Sequence, residues 1–172
     1  MKFLKLIPII FIFLGIFPSA NLVFAESEDP DNYKILLNSN KRLSIANVKD
    51  YLKEGDDFID KGNLDKAKLS YDKARNLAKQ LAGFYGDLNG SFQGLDARIP
   101  TEMQNKGKKS LEIWAESNAR LAALHKSKNE PEVAVPLLIE IIRLMSPKSA
   151  QGKEAYKDLI ELGFVDTPYR GF

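Results

Sequence analysis

The chain has 172 residues, of which 44% are hydrophobic and 28% are charged, and it contains no cysteine. The lack of cysteine excludes disulfide bonds, thiolate metal sites and a lipid-modified cysteine anchor. Lys2 and Lys5 account for the formal net charge of +2, since without them the 25 basic residues become 23 and equal the 23 acidic ones. This balance gives no reason to expect nucleic-acid binding.

Residues 1–25 are predicted to be a signal peptide. Lys2 and Lys5 precede an apolar run over residues 6–17, and Val23-Phe24-Ala25 is suited to cleavage. The run is shorter than the ~20 residues that a membrane-spanning helix needs. We therefore expect an exported protein with no strong membrane binding after cleavage, located in the periplasm, or in the thylakoid lumen if the host is photosynthetic. An uncleaved signal that anchors the chain is the alternative.

Residues 26–40 are expected to form a flexible acidic leader, because they begin with an acidic stretch that contains a proline. A helical domain is predicted to follow over residues 41–164. Its first helix begins near Asn40 or Ser44, either of which is a suitable N-terminal cap. About 147 residues remain after the signal, enough for one compact domain.

A helical hairpin is predicted over residues 48–81. Apolar or small residues recur in steps of three and four on both sides of Lys61-Gly62-Asn63. Gly62 is able to take a positive φ, and Asn63 is able to cap the second helix. Gly55 and Ala67 are small where the two helices must cross closely, so tight packing of the pair is expected.

Seven residues of this hairpin have the spacing of a tetratricopeptide repeat (TPR). The matching positions are Tyr51, Gly55, Phe58, Gly62, Ala67, Tyr71 and Ala74. The stretch thus resembles the TPR family, although Glu54 stands where the family usually has Leu and Lys79 where a Pro usually closes the unit. The resemblance implies an all-α fold of antiparallel helical hairpins in a right-handed stack. A short exported repeat domain rich in Lys and Asn also resembles exported proteins of cyanobacteria, which assigns no function.

The rest of the chain is expected to contain degenerate repeats, since one repeat cannot bury its own face. Five residues near the C-terminus keep the mutual spacing of residues 54, 55, 67, 71 and 74. They are Leu121, Ala122, Ala134, Leu138 and Ile141. Between the two matches, unbroken helical phase predicts long fused helices over about 64–95 and 101–127. Gly83 is the position at which the first of these would end early.

A ladder of small residues lies on the first long helix, at every fourth position. Its members are Ala74, Ala78, Ala82, Gly86, Gly90 and Gly94. One interpretation is a neighbouring helix that crosses closely along the ladder. The other is a frayed or broken segment from Gly83 onward, because each glycine costs roughly 1 kcal/mol in a helix interior.

The C-terminal part is predicted to be structural. The run over residues 133–145 is almost continuously apolar, which predicts burial on several sides. Residues 149–162 are predicted to form a final amphipathic helix that covers the end of the stack. Residues 165–172 are assigned to an aromatic tail.

No catalytic residue, metal site or cofactor site is predicted. His125 is the only histidine and lies on the apolar side of its helix, which favours a core or interhelical position. One histidine without cysteine does not make a usual zinc site. Glu112 and Glu116 are one turn apart, as carboxylate pairs on solvated helix faces often are.

The resemblance to the TPR family also implies where a ligand would bind, because the family's ligands usually lie in the concave groove formed by the first helix of each unit. On this chain the groove positions are Lys49, Leu52, Asp56, Arg120 and Ala123. Leu52 and Asp56 stand where one subset of the family uses a Lys and an Asn to grip a C-terminal carboxylate. A charge-based clamp is therefore not expected, and an extended or helical protein segment suits the groove better.

The predicted function is that of an exported, non-catalytic adaptor or assembly factor that binds a protein partner. Two alternatives remain open. One is an envelope enzyme of helical fold that acts on cell-wall glycans through acidic residues. The other is a structural subunit of a membrane-associated complex.

Overall fold

The computed structural model describes residues 42–171, and within this range the protein is all-α. The signal peptide and the leader predicted for residues 1–40 lie outside the described residues. The five helices are α1 (Ile45–Asp60), α2 (Leu64–Ser91), α3 (Arg98–Ser127), α4 (Pro131–Met145) and α5 (Ala150–Glu161).

The helices form antiparallel hairpins arranged in two layers. Each helix packs against the next one in the chain, and in addition α1 contacts α3 and α3 contacts α5. One layer therefore consists of α1, α3 and α5, and the other of α2 and α4. The predicted stack of helical hairpins with long helices and a final covering helix is confirmed.

The first hairpin forms as the spacing predicts. Ser44 caps α1 by accepting a hydrogen bond from the Asn47 amide at 3.1 Å, and Asn63 caps α2 in the same way. Gly62 has a φ of +70° in the turn between them. Gly55 is buried against the ring of Tyr71, where no side chain fits. Gly62 thus forms the turn and Gly55 the close helix crossing that the sequence predicts.

The two long helices are continuous, with ends that differ from those predicted. Helix α2 passes through Gly83 and ends at Ser91, because Gly94 has a φ of +81° and belongs to the following loop. Helix α3 begins at Arg98. A neighbouring helix crosses closely along only part of the small-residue ladder. Ala74 and Ala78 are fully buried. A Cβ on Gly86, by contrast, would meet no atom within 4 Å.

The core lies along the first half of α2 and the second half of α3. Its buried residues include Val48, Leu77, Leu121, Leu138 and Leu159, which come from all five helices. None of residues 82–109 is buried. The far ends of α2 and α3 therefore extend beyond the core as a two-helix projection, which at 1.5 Å per residue is roughly 15 Å long.

Residues 133–145 are buried on several sides, as predicted, except for two partly exposed apolar side chains. Leu138 and Ile141 lie in the core, but Val133 and Ile139 are 39% and 37% exposed. Helix α4 packs against α3 and α5 and contacts α2 through the Arg75–Glu140 pair, and these neighbours leave Ile139 partly uncovered. An apolar surface is consequently left open at this end of the stack.

Candidate binding surfaces

The predicted groove contains an ion pair that joins the first and third helices. Arg120 Nε lies 3.0 Å from Asp56 Oδ1, and Arg120 also pairs with Glu116 at 2.8 Å. The Tyr71 hydroxyl of α2 donates a hydrogen bond of 2.7 Å to the same Asp56 carboxylate. Two of the predicted groove residues are thus brought together, and Arg120 is already occupied by two carboxylates.

The network shifts the pKa values of Asp56, Tyr71 and Arg120. Burial opposes the ionisation of Asp56, but hydrogen bonds from Arg120 and Tyr71 outweigh it, so the pKa of Asp56 is lowered. Burial and the hydrogen bond to Asp56 raise the pKa of Tyr71 far above its ordinary value. The network thus holds two carboxylates for one guanidinium, and it leaves no unpaired cation for a ligand carboxylate.

The other groove positions have different environments. Leu52 is only 3% exposed and belongs to the core, so its side chain is not part of a binding surface. Lys49 is exposed on α1. Ala123 is exposed and lines a cavity of about 250 Å³ together with Ile59, Tyr71 and Arg120. The structure therefore supports a small, mostly neutral pocket at Arg120 and Ala123 in place of a continuous groove.

A second polar network, which the sequence did not indicate, joins α2, α3 and α4. Asn118 is fully buried; it accepts a hydrogen bond of 2.6 Å from Arg75 and donates one of 2.8 Å to Glu140. Arg75 also pairs with Glu140 at 2.5 Å. Burial opposes the ionisation of Glu140, but the hydrogen bonds from Arg75 and Asn118 still lower its pKa. The network is satisfied internally, which indicates a structural role.

His125 is buried, as predicted for a core or interhelical histidine. Its side chain is 5% exposed, and Nδ1 lies 2.6 Å from an oxygen of Glu130 in the turn before α4. The hydrogen bond with His125 lowers the pKa of Glu130. The contact fixes the turn between α3 and α4. Residues 42–171 contain no cluster of three or more potential metal ligands.

A larger, apolar cavity lies beside α4. It has a volume of about 510 Å³, and its lining includes Val135, Ile139, Leu162 and Phe164. Ile139 and Phe164 are 37% and 56% exposed, so the cavity opens to solvent. The sequence contained one signal for it, the almost continuously apolar run over residues 133–145. Helical phase alone does not tell which side of such a run stays uncovered.

The comparisons with known proteins give no assignment: no family model, no curated protein and no solved structure matches the chain. No helix in the described part is long and apolar enough to span a membrane.

Proposed function

We propose that the protein is an exported, non-catalytic, TPR-like adaptor whose partner is a segment of another protein, and that the segment binds in the apolar cavity beside α4. The observation that carries the proposal is the open cavity lined by Val135, Ile139, Leu162 and Phe164. Its volume of about 510 Å³ falls within the 300–1,000 Å³ that is usual for ligand sites.

The chemistry of the lining favours a helical protein segment. Ile139 lies on α4, and Phe164 lies just beyond α5, so the cavity is a trough between two structural elements. An amphipathic helix buries its apolar face in troughs of this kind through side chains spaced at i, i+3 and i+4. Glu132 at the rim is the only charged residue in the lining, so apolar contact is expected to supply most of the affinity.

The groove at Arg120 is the weaker candidate surface. Its one guanidinium, that of Arg120, is already paired with the Asp56 and Glu116 carboxylates, and its cavity is about half as large. Export rests on the N-terminal sequence pattern, Lys2 and Lys5 before the apolar run.

Co-purification from the native host tests the proposal. Ile139→Asp and Phe164→Asp are each expected to abolish recovery of the partner, because each puts a charge into the apolar trough. Leu69→Asp is the matched control, since Leu69 is as exposed as Phe164 but lies on α2, which does not line the cavity. The opposite result would move the site to the Arg120 groove: the partner is still recovered with Ile139→Asp and Phe164→Asp but is lost with Ala123→Glu.

A further inference from the structure

The one charged side chain in the lining of the α4 cavity has no partner within the described part of the chain. Glu132 lies in the first turn of α4 and is exposed. It forms no ion pair and no side-chain hydrogen bond with any residue that the structure describes. The other residues of the lining are prolines, aliphatic residues, one phenylalanine and one glycine. The cavity therefore offers a ligand apolar contact and one unpaired carboxylate.

Two cations on α2 lie near this carboxylate but are paired with other groups. Lys68 and Arg75 line a second, smaller cavity together with Glu132. Lys68 pairs with Asp72 at 2.6 Å. Arg75 pairs with Glu140 at 2.5 Å. The fold thus uses both cations elsewhere.

The cations at the end of α3 are paired in the same way. Lys126 lies 2.5 Å from Asp158 and 3.3 Å from Glu161, both of which are on α5. Lys128 lies 3.3 Å from Glu130 in the turn before α4. These contacts hold the end of the stack together, and they leave the carboxylate of the cavity for a group that comes from outside.

The carboxylate and the apolar lining lie at different heights along α4. Ile139 follows Glu132 by seven residues, and both line the same cavity. Seven residues are almost two full turns, so the two side chains point to the same side of the helix, about 10 Å apart along its axis. A helix that lies in the trough would thus present one residue to Ile139 and another, two turns away, to Glu132.

The charge of the surrounding part of the chain also favours a basic ligand. Residues 130–171 contain seven acidic and five basic residues, a formal charge of −2. Residues 42–129 contain 12 acidic and 16 basic residues, a formal charge of +4. A basic segment is therefore attracted to the end of the stack that holds the cavity, and the rest of the described surface attracts it less.

We propose that the segment bound in the α4 cavity is a basic amphipathic helix. It carries a lysine or an arginine two helical turns from the apolar residue that contacts Ile139, and the Glu132 carboxylate pairs with this side chain. The inference rests on the proposed function and names the chemistry of its partner. Apolar contact supplies most of the affinity. The ion pair sets the direction of the bound helix, because only one end of the trough carries the charge.

Selection from a library of displayed peptides tests the proposal without the native partner. The peptides have about 18 residues, or five helical turns, with leucines fixed at i, i+3, i+4 and i+7 and both flanks randomised. Selection is carried out at low ionic strength on the natural protein, Glu132→Gln and Glu132→Lys. Glu154→Gln is the matched control, because it removes the same charge from an exposed carboxylate outside the lining. Circular dichroism of each variant checks that the fold is intact.

Lysine and arginine are expected to be enriched in one flank of the peptides selected on the natural protein and on Glu154→Gln. The enrichment should disappear on Glu132→Gln and change to aspartate and glutamate on Glu132→Lys. A selected basic peptide is expected to bind Glu132→Gln about two- to fivefold more weakly than the natural protein, the range of an exposed ion pair.

Two results would contradict the inference, and they differ in what they leave standing. The same flanking residues on all four proteins would overturn the pairing with Glu132, while the proposed function would stand. Failure to select any peptide whose binding Ile139→Asp abolishes would overturn the proposed function, and the inference with it.

Discussion

Gly55 of α1 lies directly against the ring of Tyr71 in α2. A Cβ on Gly55 would overlap the Cδ1 and Cε1 atoms of that ring, so only glycine fits while the ring stays in place. The ring is held there because the Tyr71 hydroxyl donates to Asp56 at 2.7 Å, one residue further along α1. The close crossing and the polar network of the first hairpin therefore depend on each other.

Substitution Gly55→Ala is expected to destabilise the protein by about 1–3 kcal/mol, the usual cost of overpacking a close contact. Urea unfolding followed by circular dichroism measures the change. Gly83→Ala is the control, because it is also helical but its added Cβ meets no atom within 4 Å. The control is expected to gain up to about 1 kcal/mol from helix propensity. A loss of equal size in both variants would contradict the close crossing.

Asn118 links Arg75 to Glu140 in the buried network between α2, α3 and α4. Asn118→Ala is expected to cost about 1–3 kcal/mol, because it leaves a buried cavity and removes a partner from both charged groups. Asn76→Ala, at an exposed position of α2, is the amide control and is expected to change stability by less than about 0.5 kcal/mol. Equal unfolding midpoints for the two variants would show that the network contributes nothing.

Glu140 is expected to make the stability of the protein depend on pH in the acidic range. Its folded-state pKa is below the ordinary value of 4.5. A lowered pKa stabilises the folded state above the unfolded pKa, and that contribution is lost as the pH falls through the folded pKa. Glu140→Gln is thus expected to be less stable than the natural protein by about 1–2 kcal/mol at pH 7. The difference should shrink at pH 3. The exposed Glu154→Gln serves as the control and is expected to change the free energy of unfolding at pH 7 by less than about 0.5 kcal/mol.

Tyr71 is expected to ionise late in an alkaline titration. Burial and the hydrogen bond to Asp56 raise its pKa, so its contribution to stability is complete below pH 10 and is lost as the pH rises toward the folded-state pKa. The absorbance of phenolate is expected to have a late component in the natural protein that Tyr71→Phe removes. Identical titration curves for the two proteins would be evidence against the buried hydrogen bond.

The sequence predicted the helices well because their signals are local. Caps at Ser44 and Asn63, the positive φ of Gly62 and unbroken phase through Gly83 are all properties of neighbouring residues. The sites were harder to predict because they depend on which helices meet. Leu52 was assigned to the groove from the family pattern, but its phase on α1 directs it into the core.

The long-range polar contacts were beyond the reach of sequence patterns. Arg75 and Glu140 are 65 positions apart, and no periodic signal connects them. The cavity beside α4 exists because Ile139 stays partly uncovered, and this depends on how the helices pack in the assembled stack. Local patterns thus determine the hairpins, whereas the surfaces arise from their packing.

Site-specific photo-crosslinking in the native host tests the central claim most directly. A photoreactive amino acid replaces Ile139 in the α4 cavity in one variant, Ala123 in the Arg120 groove in a second, and Leu69 in a third. The account predicts a discrete higher-mass adduct with another protein from position 139 and none from position 69. An adduct from position 123 alone, or equal adducts from all three positions, would contradict binding at the α4 cavity.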